Sequence, residues 1–492
     1  MTKVMKLATV LAACLVASPV GAAGVPDLRD LAEQCRAGGG DPRVCRSLEQ
    51  LGRGAAHVCR YPELADGACG QLDGREISSA RIAAYELGWV HRALGLQSKL
   101  DEDRPLQDAF IPATHNSFNS AAYLPTLSGL DHNQVYALTD QLRMDMRGLE
   151  LDVHWFPSLA ADPADGGFAP ILCHGQVVPA GPVPVHLGCT AERHLREGLA
   201  EIRAWLDANP DQFLLLYLEN HLDGEAGHAA AARAIEEQLG DRVRKTPPGE
   251  RCAAMPADAS RADILAGGHQ VLIVGNCGPG AWGDWVHERG PVWDETSSEA
   301  GDDYPGYPAC AAAGGERIER HYDTKLIRRY EDSTWLSFMV DGKPSDMTLA
   351  DTRGMVECGV NLTGFDQLEP EDPRLDAMVW SWAENEPAID SALHCASARA
   401  DGRFIATDCA SSFPYACRKP DGGWAVTAAS GAWSGGFSAC ANEVPGSSFA
   451  VPATGYENRL LSGARGTAPA WLDYARSGPD GEWTPGATTA LP

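Results

Sequence analysis

Short apolar runs alternate with helical stretches between residues 106 and 383 of this 492-residue chain. Such alternation is typical of parallel strands that are connected by helices. Eight strands over roughly 280 residues match the usual size of one (β/α)8 barrel, so we predict an α/β, TIM-like fold. The predicted strands are Asp108–Pro112, Gly148–Val153, Pro170–Cys173, Phe213–Leu218, Gln270–Val274, Trp335–Val340, Val360–Phe365 and Ala377–Trp382. The predicted helices include Ala191–Ala208, Glu225–Leu239, Arg317–Arg329 and Thr348–Glu357.

The segments on either side of the barrel differ in composition. Residues 24–105 carry several cysteines and a helical stretch at Ser78–Leu96, which predicts a small helical region stapled by disulfides. Residues 384–492 are rich in Gly, Ser, Ala and Cys and show no helical periodicity, which predicts a β-rich C-terminal appendage. The expected organisation is therefore a signal peptide at 1–23, the N-terminal region, the barrel at 106–383 and the appendage.

The first residues have the pattern of an export signal. Two lysines precede an apolar stretch at Leu7–Val20, and small residues follow at Gly21–Ala23. This stretch is too short to cross a bilayer comfortably, and we expect cleavage and a secreted or periplasmic protein. The alternative is lipoprotein anchoring at Cys14, but the residues after Cys14 stay apolar. No later segment is long and apolar enough to suggest a membrane span.

Cysteine usage also predicts export. There are 15 cysteines, and removal of Cys14 with the signal leaves an even number, which is typical of disulfides in exported proteins. The alternative of zinc is disfavoured, because no paired C-x-x-C motif or Cys/His cluster occurs. We predict four local bridges, Cys35–Cys45, Cys59–Cys69, Cys173–Cys189 and Cys395–Cys409.

The net charge of −27 excludes whole classes of partner. A strongly negative field repels nucleic acid and does not hold a protein on an anionic membrane. It suits a protein that binds divalent cations. An anionic substrate would need a locally positive site.

One predicted strand carries an unusual polar face. Side chains alternate across a strand, so Glu150, Asp152 and His154 share one face and apolar residues share the other. Strands of a parallel barrel are normally buried on both faces. Two buried carboxylates would repel each other, and a divalent cation would relieve that repulsion.

Further polar residues stand at the ends of other predicted strands. His115 and Asn116 follow the first strand, His174 follows the third, and Glu219 ends an apolar run. Barrel active sites lie at the carboxyl ends of strands. The two imidazoles could exchange protons, while the carboxylates and the Asn116 carbonyl oxygen could bind a hard cation such as calcium. Phosphodiester cleavage needs both functions, so the set predicts a phosphodiesterase.

The region 108–222 resembles the catalytic X-box of the phosphatidylinositol-specific phospholipase C superfamily. The motifs that carry the resemblance are Thr114-His115-Asn116-Ser117, Gln141-Leu142 with Arg147, Glu150-Leu151-Asp152, His174-Gly175 and Leu218-Glu219-Asn220-His221. The resemblance implies that His115 and His174 are catalytic. It implies that Asn116, Glu150, Asp152 and Glu219 bind Ca2+. In the metal-independent branch an arginine replaces calcium and an aspartate follows the first histidine, so Asn116 and Glu219 favour the calcium branch.

The resemblance implies cleavage of phosphatidylinositol, or a related phosphodiester lipid at a membrane surface, to diacylglycerol and a cyclic inositol phosphate. A related phosphodiesterase acting on glycerophosphodiesters or another lipid headgroup shares the same residues. A third alternative is a non-catalytic secreted carbohydrate-binding protein, because residues 380–417 also resemble part of a C-type lectin-like module. That resemblance rests on Trp380-Ser381-Trp382, Glu386-Pro387, Cys395, Asp408-Cys409 and Tyr415-Ala416-Cys417.

Overall fold

The computed structural model describes residues 37, 70–72, 75–77, 79–123, 132–178, 185–189, 193–297, 304, 306–310, 326–334, 347–388, 392–478 and 481–486. The chain divides into two compact units, Met1–Ala55 and Ala56–Pro492, and every described residue except 37 belongs to the second. Several predictions lie outside the described residues: the signal peptide 1–23, the anchor at Cys14, the bridges Cys35–Cys45 and Cys59–Cys69, and the strand Trp335–Val340.

Strands and helices alternate through the central part of the chain. The strands are β1 (Gly70–Leu72), β2 (Arg75–Ile77), β3 (Ile111–Thr114), β4 (Gly148–Pro157), β5 (Phe168–Leu172), β6 (Gln176–Val178), β7 (Val185–Leu187), β8 (Leu214–His221), β9 (Val271–Gly275), β10 (His287–Glu288), β11 (Trp293–Ser297), β12 (Leu326–Tyr330), β13 (Leu362–Phe365), β14 (Cys395–Ala398), β15 (Phe404–Thr407), β16 (Ala416–Arg418), β17 (Trp424–Val426), β18 (Ser448–Phe449), β19 (Ala470–Ala475) and β20 (Thr484–Pro485). The helices are α1 (Ser79–Glu86), α2 (Trp89–Leu100), α3 (Leu138–Arg143), α4 (Leu195–Ala208), α5 (Gly224–Gln238), α6 (Arg261–Ala266), α7 (Trp282–Trp285), α8 (Leu349–Cys358), α9 (Pro373–Met378), α10 (Gly436–Glu443) and α11 (Gly455–Arg465). No helix among the described residues is long and apolar enough to cross a membrane.

A curved parallel sheet forms the centre of the molecule. Its strands follow the order β10-β9-β8-β4-β3-β13-β12-β11, and each neighbouring pair is parallel. Among the described residues this path ends at β10 and β11, and these strands form a TIM-like half-barrel. The predicted α/β fold is confirmed.

The two faces of this sheet have different cores. Leu149, Leu151 and Leu216 belong to the outer core that packs under α4 and α5. Tyr217 and Leu272 belong to a second core on the inner face. This alternation follows from the two-residue period of a strand. It places the polar residues of β4 on the inner face, as predicted.

Three predicted barrel elements are wrong. Pro170–Cys173 falls in β5, which pairs antiparallel with β4. The β4–β5 connection contains no helix longer than a single 3₁₀ turn, whereas a parallel return needs a crossover of a dozen or more residues. Ala377–Trp382 is not a strand, since its first residues end α9. Of the predicted helix Arg317–Arg329, residues 326–329 belong to β12, whose buried arginines contact acidic or aromatic groups, and residues 317–325 lie outside the described residues.

The segments flanking the sheet pack closely against it. The predicted helix Ser78–Leu96 is two helices, α1 and α2, separated at Leu87 and Gly88. On α2, the Gln97 side chain donates to Met378 O and accepts from Trp380 N–H. These hydrogen bonds join the N-terminal helices to the segment that follows α9.

The C-terminal region contains two small antiparallel sheets, ordered β15-β14-β19-β20 and β17-β16-β18. The expectation of no helix there is wrong, because α10 and α11 lie between β17 and β19 in the chain. The buried residues of α11 include Glu457, Asn458 and Arg465, and these polar residues hide the apolar periodicity of a helix.

Disulfides join segments across the described chain. The predicted bridges Cys173–Cys189 and Cys395–Cys409 are confirmed. The structure adds the bridges Cys252–Cys277, Cys310–Cys358 and Cys417–Cys440. Such bridges persist in oxidising compartments outside the cytosol.

Candidate active site

Two buried carboxylates on β4 form the centre of the candidate site. Glu150 is 3% exposed and Asp152 is 4% exposed, and Asp152 lies opposite Glu219 in the parallel pairing of β4 with β8. Burial raises the pKa of Asp152 well above its usual range, and the negative charges of Glu219 and Glu150 raise it further. The protonated form of Asp152 is therefore favoured more strongly than it would be in water.

Asn116 bends the chain over these carboxylates. Its φ of 43° is in the left-handed region, and its backbone N–H donates to Glu150 Oε2 at 3.1 Å. Its side-chain amide lies 3.0 Å from both carboxylate oxygens of Asp152. With the amide nitrogen on that side it donates to Asp152, and its oxygen accepts from His115 Nε2 at 3.3 Å. If the Asn116 amide were rotated so that its nitrogen and oxygen exchanged places, its oxygen would lie beside Asp152, and a cation bound by both residues would require this orientation.

His115 is buried between two acidic groups. Its Nδ1 lies 3.3 Å from Asp366 Oδ1, and its Nε2 lies 3.9 Å from Glu150 Oε2. Burial lowers the pKa of His115, but the negative charges of Glu150 and Asp366 outweigh it and raise the pKa to about 9. Asp366 is itself fixed by the N–H and hydroxyl of Ser333, at 2.8 and 2.9 Å. The pair His115–Asp366 is therefore a rigid unit with Nε2 facing the site.

Arg328 supplies a buried positive charge to the same site. It donates to Glu150 Oε2 and stacks over the rings of Tyr217 and Tyr330, at 5.2 and 4.6 Å from their centroids. This ion pair compensates the burial of Glu150.

His174 lies on the same side of β4 as His115. Val153 of β4 pairs with both β8 and β5, so these two strands lie on opposite edges of β4. β3 also pairs with β4 on the edge away from β8, and β3 and β5 therefore share that edge. A barrel with the predicted order of parallel strands would put the strands before His115 and His174 on opposite sides of the strand that carries Glu150, and the antiparallel β5 overturns this expectation. Asn119 and Asn133 connect the two histidines. The Asn119 amide nitrogen lies 3.4 Å from His174 Nδ1 and donates to the Asn133 side-chain oxygen. The Asn133 amide nitrogen in turn lies 3.3 Å from His115 Nδ1.

Glu219 lies across β4 from the histidines and contacts His221. His221 Nε2 lies 2.8 Å from Glu219 Oε1. Burial raises the pKa of Glu219, but the hydrogen bond and the charge of His221 outweigh it and lower the pKa to about 2. Asp152, Glu219 and His221 each offer a ligand atom within 4.8 Å of the other two. The structure therefore holds a group that can bind a metal ion, and most donors around it are the oxygens that hard cations prefer.

Comparison with known proteins identifies the family. A family model described as Rv2075c PI-PLC-like domain matches residues 73–372, more than half of the chain. The protein belongs to this family. Two curated relatives from Mycobacterium tuberculosis are similar to it: uncharacterized protein MT2135 of strain CDC 1551 / Oshkosh and uncharacterized protein Rv2075c of strain ATCC 25618 / H37Rv. Each is 36% identical over 447 residues, which is 87% of this chain and 88% of the relative.

Solved structures of bacterial phospholipases are also similar. Phosphatidylinositol-specific phospholipase C from Listeria monocytogenes is 13% identical, with a TM-score of 0.36, over 58% of this chain and 97% of its own. A variant of the Staphylococcus aureus phosphatidylinositol-specific phospholipase C is 10% identical, with a TM-score of 0.36, over 59% of this chain and 98% of its own.

The PI-PLC-like site contains residues that sequence reasoning missed. Asp366 directly follows β13, and the rule that selected His115 at the end of a strand would also have selected Asp366. His221 belongs to the motif Leu218-Glu219-Asn220-His221, but the sequence did not indicate a role for it. Arg328 had no local signal, because its segment was read as a helix and its partner Glu150 is 178 residues away in sequence.

Proposed function

We propose that this PI-PLC-like protein is a calcium-dependent phosphodiesterase that cleaves phosphatidylinositol or a related phosphodiester lipid at a membrane surface. The expected products are diacylglycerol and a cyclic inositol phosphate. The observation that carries the proposal is the convergence of the Asp152 and Glu219 carboxylates, with the Asn116 side-chain amide against Asp152 and His115 beside it. This arrangement can bind a cation and exchange a proton at one place, and phosphodiester cleavage needs both.

Calcium is the cation that best fits this donor set. Asn116, Glu150, Asp152 and Glu219 would hold it through oxygen atoms. A bound calcium ion would offset charge on the phosphate and lower the pKa of a coordinated hydroxyl. Oε2 of Glu150 is already bonded to Arg328 and to the Asn116 N–H, so Glu150 is fixed in place before any cation arrives.

The protein side chains would handle the protons. Asp366 holds His115 Nδ1, so Nε2 is the atom that would exchange a proton with substrate. His174 would be the second proton-transfer group, and Asn119 would orient it through Nδ1. The inositol 2-hydroxyl would attack phosphorus, and the diacylglycerol oxygen would leave with a proton. Arg328 would balance the negative charge of the phosphate.

The test is diacylglycerol release from phosphatidylinositol vesicles, with calcium and with a chelator. We expect release with calcium and its loss with the chelator. Asp152→Asn should abolish the calcium-dependent rate, whereas the matched change Glu236→Gln, at an exposed position of α5, should not. Turnover of glycerophosphoinositol but not of phosphatidylinositol would favour the glycerophosphodiester alternative. Turnover that is unaffected by the chelator would contradict the calcium assignment.

The two histidines provide a second test. Alanine at His115 or at His174 should reduce turnover by roughly 10²–10⁴-fold, the usual contribution of a positioned proton-transfer group. Circular dichroism should remain that of the wild type. A His174→Ala enzyme that keeps its turnover at saturating calcium would contradict a mechanism with two histidines.

We also propose that the protein is exported, to the periplasm or beyond. The five bridges in the described part of the chain support this, since such disulfides persist in oxidising compartments. N-terminal sequencing of the mature protein would test cleavage near residue 23.

A further inference from the structure

A cavity of about 360 Å³ lies away from the candidate active site, between the half-barrel and the C-terminal region. Its walls come from α2, α8 and α9 on one side, and from α11 and the turn between β14 and β15 on the other. Cavities of this size that lie between structural units are common sites for small ligands.

Arg399 and Asp401 in this cavity are hydrogen-bonded to each other, but two other ion pairs are loose. Arg403 Nη2 lies 4.0 Å from Asp376 Oδ1, and Arg459 Nε lies 3.9 Å from Glu357 Oε2. These distances exceed those of direct hydrogen bonds. The groups therefore attract each other while keeping hydrogen-bonding capacity for a third partner.

Other polar groups in the walls have no partner. Arg353 and Glu384 both line the cavity and are exposed, and neither side chain makes a hydrogen bond or ion pair with another residue that the structure describes. Asn458 is 7% exposed and donates to Trp380 O and Gly402 O, while its amide oxygen is buried without a hydrogen-bond partner. An unpartnered buried oxygen of this kind is uncommon in folded proteins.

The composition of the walls limits the chemistry of the ligand. Four arginines and four carboxylates line the cavity, so their charges cancel and a strongly anionic ligand gains no net attraction. Two tryptophans, Trp89 and Trp380, add aromatic surface. Guanidinium and carboxylate groups bind neighbouring hydroxyls in pairs, and an indole face packs against C–H groups. A neutral, polyhydroxylated ring satisfies all of these groups together.

We propose that this cavity is a saccharide-binding site, separate from the phosphodiesterase site. Arg353 and Glu384 would bind hydroxyls at the cavity mouth. Trp89, which is half-buried, would contact the apolar face of the sugar ring. Because the cavity shares no lining residue with the candidate active site, it would attach the enzyme to a glycan while the active site stays open.

The test is ligand-observed NMR, by saturation transfer, of the full chain with methyl glycosides of glucose, mannose and galactose. This method suits the protein better than fluorescence, because 13 tryptophans would obscure a local change. We expect at least one neutral glycoside to bind, and Arg353→Ala to weaken its binding about tenfold, the effect of one hydrogen bond to a charged group. Trp89→Ala should weaken it as well.

Two control variants separate this site from the rest of the molecule. Arg203→Ala removes an exposed arginine of α4 and should leave glycoside binding unchanged. His115→Ala should also leave it unchanged, because it alters only the active site. Binding of glucuronate or inorganic phosphate without any neutral glycoside would overturn the proposal in favour of an anion site. Absence of binding, or binding that survives both Arg353→Ala and Trp89→Ala, would also overturn it.

Discussion

Calcium binding should release protons from the site. Without a cation, burial and the charges of Glu219 and Glu150 keep the pKa of Asp152 well above its usual range. His115 has its pKa raised to about 9, since the charges of Glu150 and Asp366 outweigh the opposing effect of burial. A calcium ion bound among these carboxylates would supply the positive charge that protons on Asp152 and His115 otherwise provide. Cation binding and proton loss are therefore coupled.

The size of the effect follows from linkage. Each proton displaced on binding makes the apparent calcium affinity rise about tenfold per pH unit, as long as the group is protonated in the cation-free protein. His115 remains protonated below a pH of about 9. We therefore expect the apparent Kd for calcium to decrease by about tenfold per pH unit between pH 6 and pH 8 if His115 alone releases a proton. If Asp152 releases a second proton, the decrease should reach up to about a hundredfold per pH unit.

Isothermal titration calorimetry measures this release directly. Calcium is titrated at one pH in two buffers of different ionisation enthalpy, and the difference in heat gives the number of protons. His115→Gln should release one proton fewer than the wild type while keeping the oxygen ligands. Glu236→Gln, on an exposed face of α5, should match the wild type. Calcium binding with the same Kd at pH 6 and pH 8, and with no dependence on buffer, would refute the reasoning.

Three other changes have expected outcomes. Asp366→Asn should lower turnover by about 10²-fold or more, measured as diacylglycerol release, because His115 loses the partner that fixes Nδ1. His221→Ala should weaken calcium binding about 10–100-fold by calorimetry, whereas His221→Gln, which can still donate to Glu219, should keep most of the affinity. Burial lowers the pKa of His287 to about 4 in the folded protein. When the pH decreases below the ordinary histidine pKa of about 6.5, the unfolded chain binds a proton at this residue and the folded protein does not, so the free energy of unfolding decreases. His287→Gln should therefore lose about 1.4 kcal/mol less stability than the wild type between pH 7.5 and pH 5.5 in urea denaturation, and equal losses would contradict this.

Local pattern was enough for much of the half-barrel. The apolar runs at β8 and β9 were predicted to within a few residues, because burial on both faces requires a nearly continuous apolar segment, and β4 was predicted from its alternating pattern. The shared inner face of Glu150 and Asp152 also followed from the sequence, since alternation along a strand is a property of the backbone.

The direction of β5 and the contacts between residues that are distant in sequence could be established only from the tertiary structure. The sequence showed an apolar run at β5, but a run of this kind has the same pattern in a parallel and in an antiparallel strand. The antiparallel return placed His174 on the same side of β4 as His115. The lack of a helix between β4 and β5 was the available signal.

The sequence by itself determined which residue types could form the site: two histidines, an asparagine and three carboxylates at the ends or on the polar face of strands. The tertiary structure alone decided their partners. Arg328 reaches Glu150, and Asp366 reaches His115, across more than 170 residues of chain. A buried charge is tolerated only beside its partner, and that partner is chosen by the order of strands in the sheet, which no local pattern encodes.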